Sequence, residues 1–393
     1  ITGTASSETV APVVTSFDSS GQTASKLFGA AVAGSPFSPG DLIAPRSTPA
    51  APQYLVGLSD DTDRQTSFGL TNPSDQPATF RLRVVDHGGN LLGESDAQSL
   101  DRFGQRQFEV QEIRDLFGVA SLQDYRVEVE SVSGPPIFPF GSDVRLSTGD
   151  PSFTQPGSYT APTVYLLGVL NGAGTGTSAL QTDLLLSNVG DQAVQTSVRL
   201  TKLSAKAAAP QVAQVAVQPG ATARLANVLL GQFGLRSGVG VLIVSSTSPN
   251  GVYPIVKAES FDNANPQQRF GQSLVALTDD DAADSTQKLV LVGLRQDNLN
   301  KTTLWLFNPS GDGGEYDLVY RDLTGNVLGT VRGAKVAAGQ MRQFLPTQHP
   351  IKKGGAPNGF TVEVVVKSGK ALAAAQVVRG GSNDPAYVPG VVR

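Results

Sequence analysis

One pattern returns three times in this 393-residue chain. Residues 66–86 read TSFGLTNPSDQPATFRLRVVD, residues 181–203 read QTDLLLSNVGDQAVQTSVRLTKL, and residues 302–322 read TTLWLFNPSGDGGEYDLVYRD. Each copy is a short apolar run, an Asn punctuated by Pro, Gly, Ser or Asp, and then a run in which apolar and polar residues alternate. Alternation with period two gives a strand one apolar face, so each copy reads as a β-hairpin turning at its Asn. The turn residues Asn72, Asn188 and Asn308 lie 188 − 72 = 116 and 308 − 188 = 120 residues apart. A period that long is a whole domain rather than a solenoid turn, and it restricts the chain to tandem β domains.

A second landmark keeps the same register. Gly104-Gln105-Arg106-Gln107-Phe108 recurs as Gly220 to Leu225 and as Gly339 to Phe344, at spacings of 220 − 104 = 116 and 339 − 220 = 119 residues. Each copy opens on a related apolar run, YLVGL at Tyr54, YLLGV at Tyr165 and LVLVGL at Leu289. A turn at residues 88–90 precedes Leu91, Leu92 and Gly93, echoed at residues 325–329, whereas residues 205–210 replace it in the second copy. Short helical turns are expected at residues 110–117 and 225–233, each closed by Phe-Gly, since Gly accepts the left-handed cap. Second long hairpins are expected to turn at Ser133-Gly134, Asn250-Gly251 and Ser368-Gly369. Linkers fall at residues 149–162 and 279–287. The expected organisation is an extended segment 1–52, then β-sandwich repeats at 53–160, 161–285 and 286–393, with about seven strands in each.

The totals exclude several classes. Charged residues are 16% of the chain and the net charge is −4, so no basic surface is expected to neutralise nucleic-acid phosphates. No apolar run reaches the roughly 18 residues of a membrane-spanning helix. Cysteine is absent, which removes disulfides and thiolate chemistry together. With 43 Gly, 25 Pro and no sustained helical periodicity, the composition is all-β. The single Met is Met341, so Ile1 is not a translation start, and removal of an export signal is the simplest expectation.

With the strand-Asn-Pro-strand pieces (Leu70 to Pro73, Leu306 to Pro309), the Gly-Gln turns (Gly104-Gln105, Gly339-Gln340) and the terminal hairpins in place, the repeats resemble the tandem immunoglobulin-like β-sandwich modules of bacterial secreted and cell-surface proteins. The resemblance covers roughly residues 53–393. It implies a fold and an extracellular or cell-surface setting, and it carries over no binding residue. The Cys-Trp-Cys core of antibody domains is missing, so the likeness is architectural.

Chemistry-bearing residues are sparse. The two histidines, His87 and His349, are expected to be solvated loop residues. A Ser-His-acid triad would need one of them, and no G-x-S-x-G elbow follows any strand. No catalytic residue and no cofactor are expected. Asp60, Asp61, Asp63 and the acid run at residues 279–284 read as solvated loops ahead of a calcium site, because no twelve-residue calcium loop is present. Phe138, Phe140, Tyr253 and Trp305 are candidates for a sugar-stacking surface, with a core or interface place expected for Trp305. Asn300-Lys301-Thr302 fits the N-glycosylation pattern.

The opening 52 residues are too poor in large apolar side chains to fold alone, so their backbone groups need an outside partner. Thr9, Ala11, Val13, Thr15 and Phe17 share one face at period two, and Leu27, Phe28 and Val32 lie in a second apolar stretch. Either stretch suits a strand added to a sheet edge, on its own first domain or on a neighbouring molecule. The expected function is that of a non-enzymatic extracellular structural protein, a subunit of a surface filament or layer assembled through its N-terminal segment. The alternative is a carbohydrate-binding or adhesive accessory region of a secreted protein.

Overall fold

The computed structural model describes residues 13–17, 29–33, 52–119, 122–135, 137–157, 159–173, 179–203, 210–264, 270–351, 356–379 and 385–393. Strands β1 (Val13–Phe17) and β2 (Gly29–Ala33) form a two-stranded sheet of their own. A first unit follows: β3 (Gln53–Asp60), β4 (Arg64–Thr71), β5 (Ala78–Val85), β6 (Leu91–Glu94), β7 (Gln98–Leu100), β8 (Gln105–Phe108), helix α1 (Val110–Phe117), β9 (Leu122–Ser133), β10 (Phe138–Arg145) and β11 (Asp150–Thr154). The second comprises β12 (Thr163–Ala173), β13 (Ala179–Ser187), β14 (Val194–Lys202), β15 (Gln211–Val217), β16 (Thr222–Leu225), helix α2 (Val228–Phe233), β17 (Gly238–Thr247), β18 (Ile255–Asp262) and β19 (Gly271–Leu274). The third comprises β20 (Lys288–Gln296), β21 (Asn300–Phe307), β22 (Gly314–Asp322), β23 (Val327–Val336), β24 (Met341–Phe344), β25 (Ala356–Ser368), β26 (Leu372–Arg379), β27 (Pro385–Pro389) and β28 (Val391–Val392).

All pairings are antiparallel, and one order recurs. In the first unit β5 pairs with β6, β7 and β9, β9 pairs with β3, and a second layer runs β8-β4-β10-β11. The second unit repeats this as β15-β14-β17-β12 and β16-β13-β18-β19, and the third as β23-β22-β25-β20-β28 and β24-β21-β26-β27. The architecture is all-β sandwich. Period two explains the layering: in β5, Ala78, Phe80, Leu82 and Val84 are buried, while Thr79, Arg81 and Arg83 are half-exposed. Phe68, Phe80, Phe108 and Tyr125 fill the first core, and Tyr316, Tyr320 and Phe360 the third.

The Asn-marked turns are not hairpins. β4 pairs with β10 and β8 while β5 pairs with β9, so the connection at Asn72 crosses from one layer to the other; β13 to β14 and β21 to β22 do the same. A turn signal marks a reversal without saying whether the flanking strands share a sheet. Here both runs bury one apolar face in a common core, which crossing satisfies. The three Asn residues are fully buried. Asn72 donates from Nδ2 to the carbonyls of Gln76 (2.7 Å) and Asp101 (3.0 Å) and accepts from the Ser74 amide. Asn188 and Asn308 bond equivalently to Gln192 and Asp312. The Asn amides donate to the carbonyls of Gly104, Ala221 and Gln340, so the two sequence landmarks touch, which is why their spacing is preserved.

The expected closing hairpins are corrected in the same way, because β9 and β10 lie in different layers, as do β17 and β18, and β25 and β26. Helix α1 matches its expected bounds, whereas α2 begins at Val228, where Asn227 caps it through the Leu230 amide. The recurring apolar run carries a bulge in each unit, at Gly57, Gly168 and Gly293, with φ of +65°, +77° and +77° and a register slip in the ladder. Only glycine takes that conformation without strain. The chain after each last layer then returns to the edge of the first strand: the Gly157 amide donates to Tyr54, Leu277 and Tyr165 exchange two hydrogen bonds, and β28 pairs with β20.

Candidate functional site

The densest chemistry lies where the first unit meets the second. β3 of the first unit packs on β13 and β18 of the second. Glu259, on β18, receives two guanidinium groups from the first unit: Arg145 Nη2 at 2.5 Å and Arg64 Nη1 at 2.9 Å. Arg64 also reaches Asp143 Oδ2 at 3.4 Å, and Arg145 reaches Asp63 Oδ2 at 2.8 Å while lying 4.6 Å over the Phe261 ring. Lys257, two residues before Glu259 on the same strand face, donates from Nζ to the Gly57 carbonyl (3.0 Å) and to Thr154 Oγ1 (3.1 Å). Arg224 joins Asp124 of the first unit (2.5 Å) to Asp183 (2.8 Å). A cavity of about 350 Å³ opens beside this cluster, lined by Asp63, Arg64, Arg145, Asp183, Arg224 and Phe261 among others.

The cluster sets its own charge states. Burial pushes Glu259 up, but Arg64, Arg145 and Lys257 outweigh it and hold the carboxyl at about 2. Burial raises Asp143, Arg64 and Lys257 oppose that, and the net direction is upward. Burial lowers Lys257 against the pull of Asp143 and Glu259. A general base serves best with a pKa near the working pH, which Glu259 lacks. What this arrangement does well is join: breaking a buried, hydrogen-bonded pair costs about 3–5 kcal/mol because the surviving charge is stranded.

The second unit meets the third through the same elements, β12 against β21 and β26, with different chemistry. Trp305, Phe307, Met341, Leu372 and Ala374 of the third unit belong to the same apolar cluster as Leu166, Leu167 and Leu242 of the second. The Tyr165 and Phe307 rings lie 5.5 Å apart. Trp305 is 1% exposed, and its indole lies on Gly168, where a Cβ would stand 2.6 Å from the ring. At the first junction Leu185 occupies the Trp305 position and approaches Gly57. Among the described residues no salt bridge crosses the second junction.

Trp305 is thus an interface residue, as expected from its flanks. His349 is corrected: it is 7% exposed, not solvated, with Nδ1 at 2.9 Å from the Tyr320 hydroxyl and Nε2 at 2.8 Å from the Thr302 carbonyl. His87 is exposed, and its carbonyl accepts the Thr222 amide across the first junction. The acid loops are internally occupied. Asp60 accepts from Arg114 Nε at 2.6 Å, Asp61 caps the amides of Asp63 and Arg64, and Asp279 accepts the Tyr165 hydroxyl at 2.9 Å. Among the described residues no group of three or more His, Asp or Glu is placed to hold a metal. Phe138 and Phe140 are half-buried on the outer face of the first unit, Phe140 over Gly69 and stacked on Phe153 at 6.1 Å; Tyr253 is half-buried elsewhere. Asn300 donates to Asp297, and the Thr302 hydroxyl is tied to the Arg295 carbonyl.

Of the N-terminal candidates, Val13, Thr15, Phe17 and Val32 fall in the β1–β2 ladder, where Val13 pairs with Ala33 and Phe17 with Gly29; Thr9, Ala11, Leu27 and Phe28 lie outside the described residues. The β2 backbone runs beside β11 and β27. There, a groove of about 780 Å³ is lined by Phe153, Gln272, Asp280 and Tyr387 among others.

Sequence reading missed the charged cluster. Its signal lies in comparing the copies: Lys257, Glu259 and Asp183 of the second stand where the first has Phe140, Ser142 and Ser67 and the third Ala374, Gln376 and Thr303. No family model matches the sequence, and neither does any curated protein. Among solved structures, one of infectious bursal disease virus, Gx strain, is 9% identical, with 90% of this chain and 80% of that chain covered and a TM-score of 0.15. The native conformation of E. coli alpha-2-macroglobulin is 10% identical, with 89% of this chain and 22% of that chain covered and a TM-score of 0.15. A TM-score of 0.15 is no sign of a shared fold.

Proposed function

We propose that this chain is a non-enzymatic structural protein of the cell exterior, a subunit of a surface filament or layer that self-associates. Its segments 53–160, 161–285 and 286–393 are read as three immunoglobulin-like domains. Supporting that reading, β3-β9-β5 and β4-β10-β11 reproduce the B-E-D and C-F-G pairings of an immunoglobulin sandwich, and the later units repeat them. The place of strand A, beside B, is taken by chain that follows the last strand.

The observation that carries the structural reading is the first junction, where buried Glu259 of the second unit is paired with Arg64 and Arg145 of the first. Such a cluster fixes the angle between neighbours, as a rigid building block requires. The N-terminal segment is the proposed assembly element, supported by the course of β2 beside two edge strands. Electron microscopy and light scattering on the full chain and on a chain lacking residues 1–45 test this. Assemblies lost with the segment are the expected result; filaments that persist unchanged would remove its role, and a monomer at high concentration would remove assembly altogether. A carbohydrate-binding reading draws on Phe138, Phe140 and Phe153, half-buried on one face. Saturable binding on a glycan array, abolished by Phe140→Ser, would put it first.

A further inference from the structure

Both internal junctions are built by one rule. The outer face of a unit's first strand, around its bulge glycine, receives the outer face of the next unit's second layer. In the first unit Tyr54 (8% exposed), Val56 (2%) and Gly57 are buried there, and Leu185 comes in from the next unit. In the second, Tyr165 (7%), Leu167 (0%) and Gly168 are buried, and Trp305 comes in. The third unit has the same strand, the same bulge and the same positive φ at Gly293. Yet Val290 and Val292 are half-exposed and Gly293 is exposed.

The first unit carries the matching surface. Gly69 occupies the position of Leu185 and Trp305, and the ring of Phe140, from the neighbouring strand, covers it; a Cβ on Gly69 would stand 2.3 Å from that ring. An apolar side chain therefore stands on the first unit's outer face at the place where Leu185 and Trp305 project in the other two. Phe140 and Phe153 are half-buried.

We infer that the face of β20 around Gly293 docks the β4–β10 face around Phe140 of a second copy of this chain. The inference rests on the filament reading above and adds a second contact that assembly needs together with the N-terminal segment. The occupant is argued from continuity, since the same two faces already meet twice within the molecule. The contact joins two different surfaces, so each copy keeps one free face of each kind, and the association builds a head-to-tail row unless its rotation closes a ring.

Sedimentation velocity on the full chain over a concentration series tests this, with Val292→Glu on one face and Phe140→Ser on the other. Each variant alone is expected to lose concentration-dependent growth. Mixed, they are expected to give a dimer that stops there, because each supplies the face the other lacks. Should Phe140→Ser lose its thermal transition, Ser142→Arg, half-exposed on the same strand face, takes its place. Growth unchanged in Val292→Glu would overturn this contact while leaving assembly through another surface standing. A wild-type chain that stays monomeric at millimolar concentration would overturn both the contact and the filament reading.

Discussion

The two junctions use the same strands, but only the first adds buried charge to its apolar contacts. At the first, Glu259 binds Arg64 and Arg145, and Lys257 reaches the Gly57 carbonyl. At the second, Trp305 and Phe307 extend the second unit's core into the third. The glycine bulge, the knob three residues before the buried Asn and the pairing order are common to both. The difference teaches that backbone geometry carries the docking rule and that side chains only fill it. This agrees with the general finding that a buried ion pair and a well-packed apolar set of similar volume are of comparable worth, while a half-removed pair is costly.

The sharpest break is Trp305→Ala. Removing a fully buried indole should cost about 3–5 kcal/mol in denaturant unfolding, with no dependence on salt. Next comes Glu259→Gln, which strands Arg64 and Arg145 and should cost about 3 kcal/mol. Trp305 is the only tryptophan, so its emission reports the second junction alone. Glu259→Gln is expected to lower the melting temperature seen by circular dichroism and leave the native emission maximum unmoved. A shifted maximum would mean that the two junctions are coupled and that the comparison is of one interface, not two.

A smaller and cleaner test pairs Gly168→Ala with Gly293→Ala. Both residues have φ of +77°, so both substitutions meet the same backbone strain, about 1 kcal/mol. At Gly168 the new Cβ also meets the Trp305 ring, whereas Gly293 is exposed. The difference between the two melts, expected at about 1–3 kcal/mol, isolates docking from backbone preference. Equal losses would show that the bulge, and not the contact, sets the requirement for glycine.

The repeat and its strands were legible because they are local. Period two in residues 78–84 names which side chains face a core, and Asn72 with Pro73 names a reversal. What the reversal joins is not local, since pairing β4 with β10 rather than β5 depends on sixty further residues. The charged cluster was hidden for a related reason. Arg64, Asp143 and Glu259 are far apart in the chain and ordinary when read singly; only their meeting across a junction makes them buried. His349 next to Pro350 has the look of a loop residue, and nothing nearby in sequence announces Tyr320 or the Thr302 carbonyl as its partners.

Acid should separate the junction from the third unit, with the smallest effect of the four. His349 Nε2 lies against a carbonyl, so it carries the proton, and Nδ1 accepts from the Tyr320 hydroxyl; the buried ring is neutral. Burial lowers its pKa below the ordinary 6.5, and the Thr302 bond opposes that only in part. A lowered folded value means that the unfolded chain binds the proton more readily, so the stability His349 contributes is complete above 6.5 and is lost as pH falls through the folded value. Glu259 follows the same sign from an ordinary value of 4.5 down to about 2, and Asp143, raised by burial, runs against it. Between pH 6.5 and 4.5 the third unit should therefore soften while the charged junction holds. Melting followed by circular dichroism at pH 7 and pH 5 is expected to show a lower transition at pH 5 that His349→Asn flattens and Glu259→Gln leaves in place. A pH 5 loss untouched by His349→Asn would assign the acid sensitivity elsewhere.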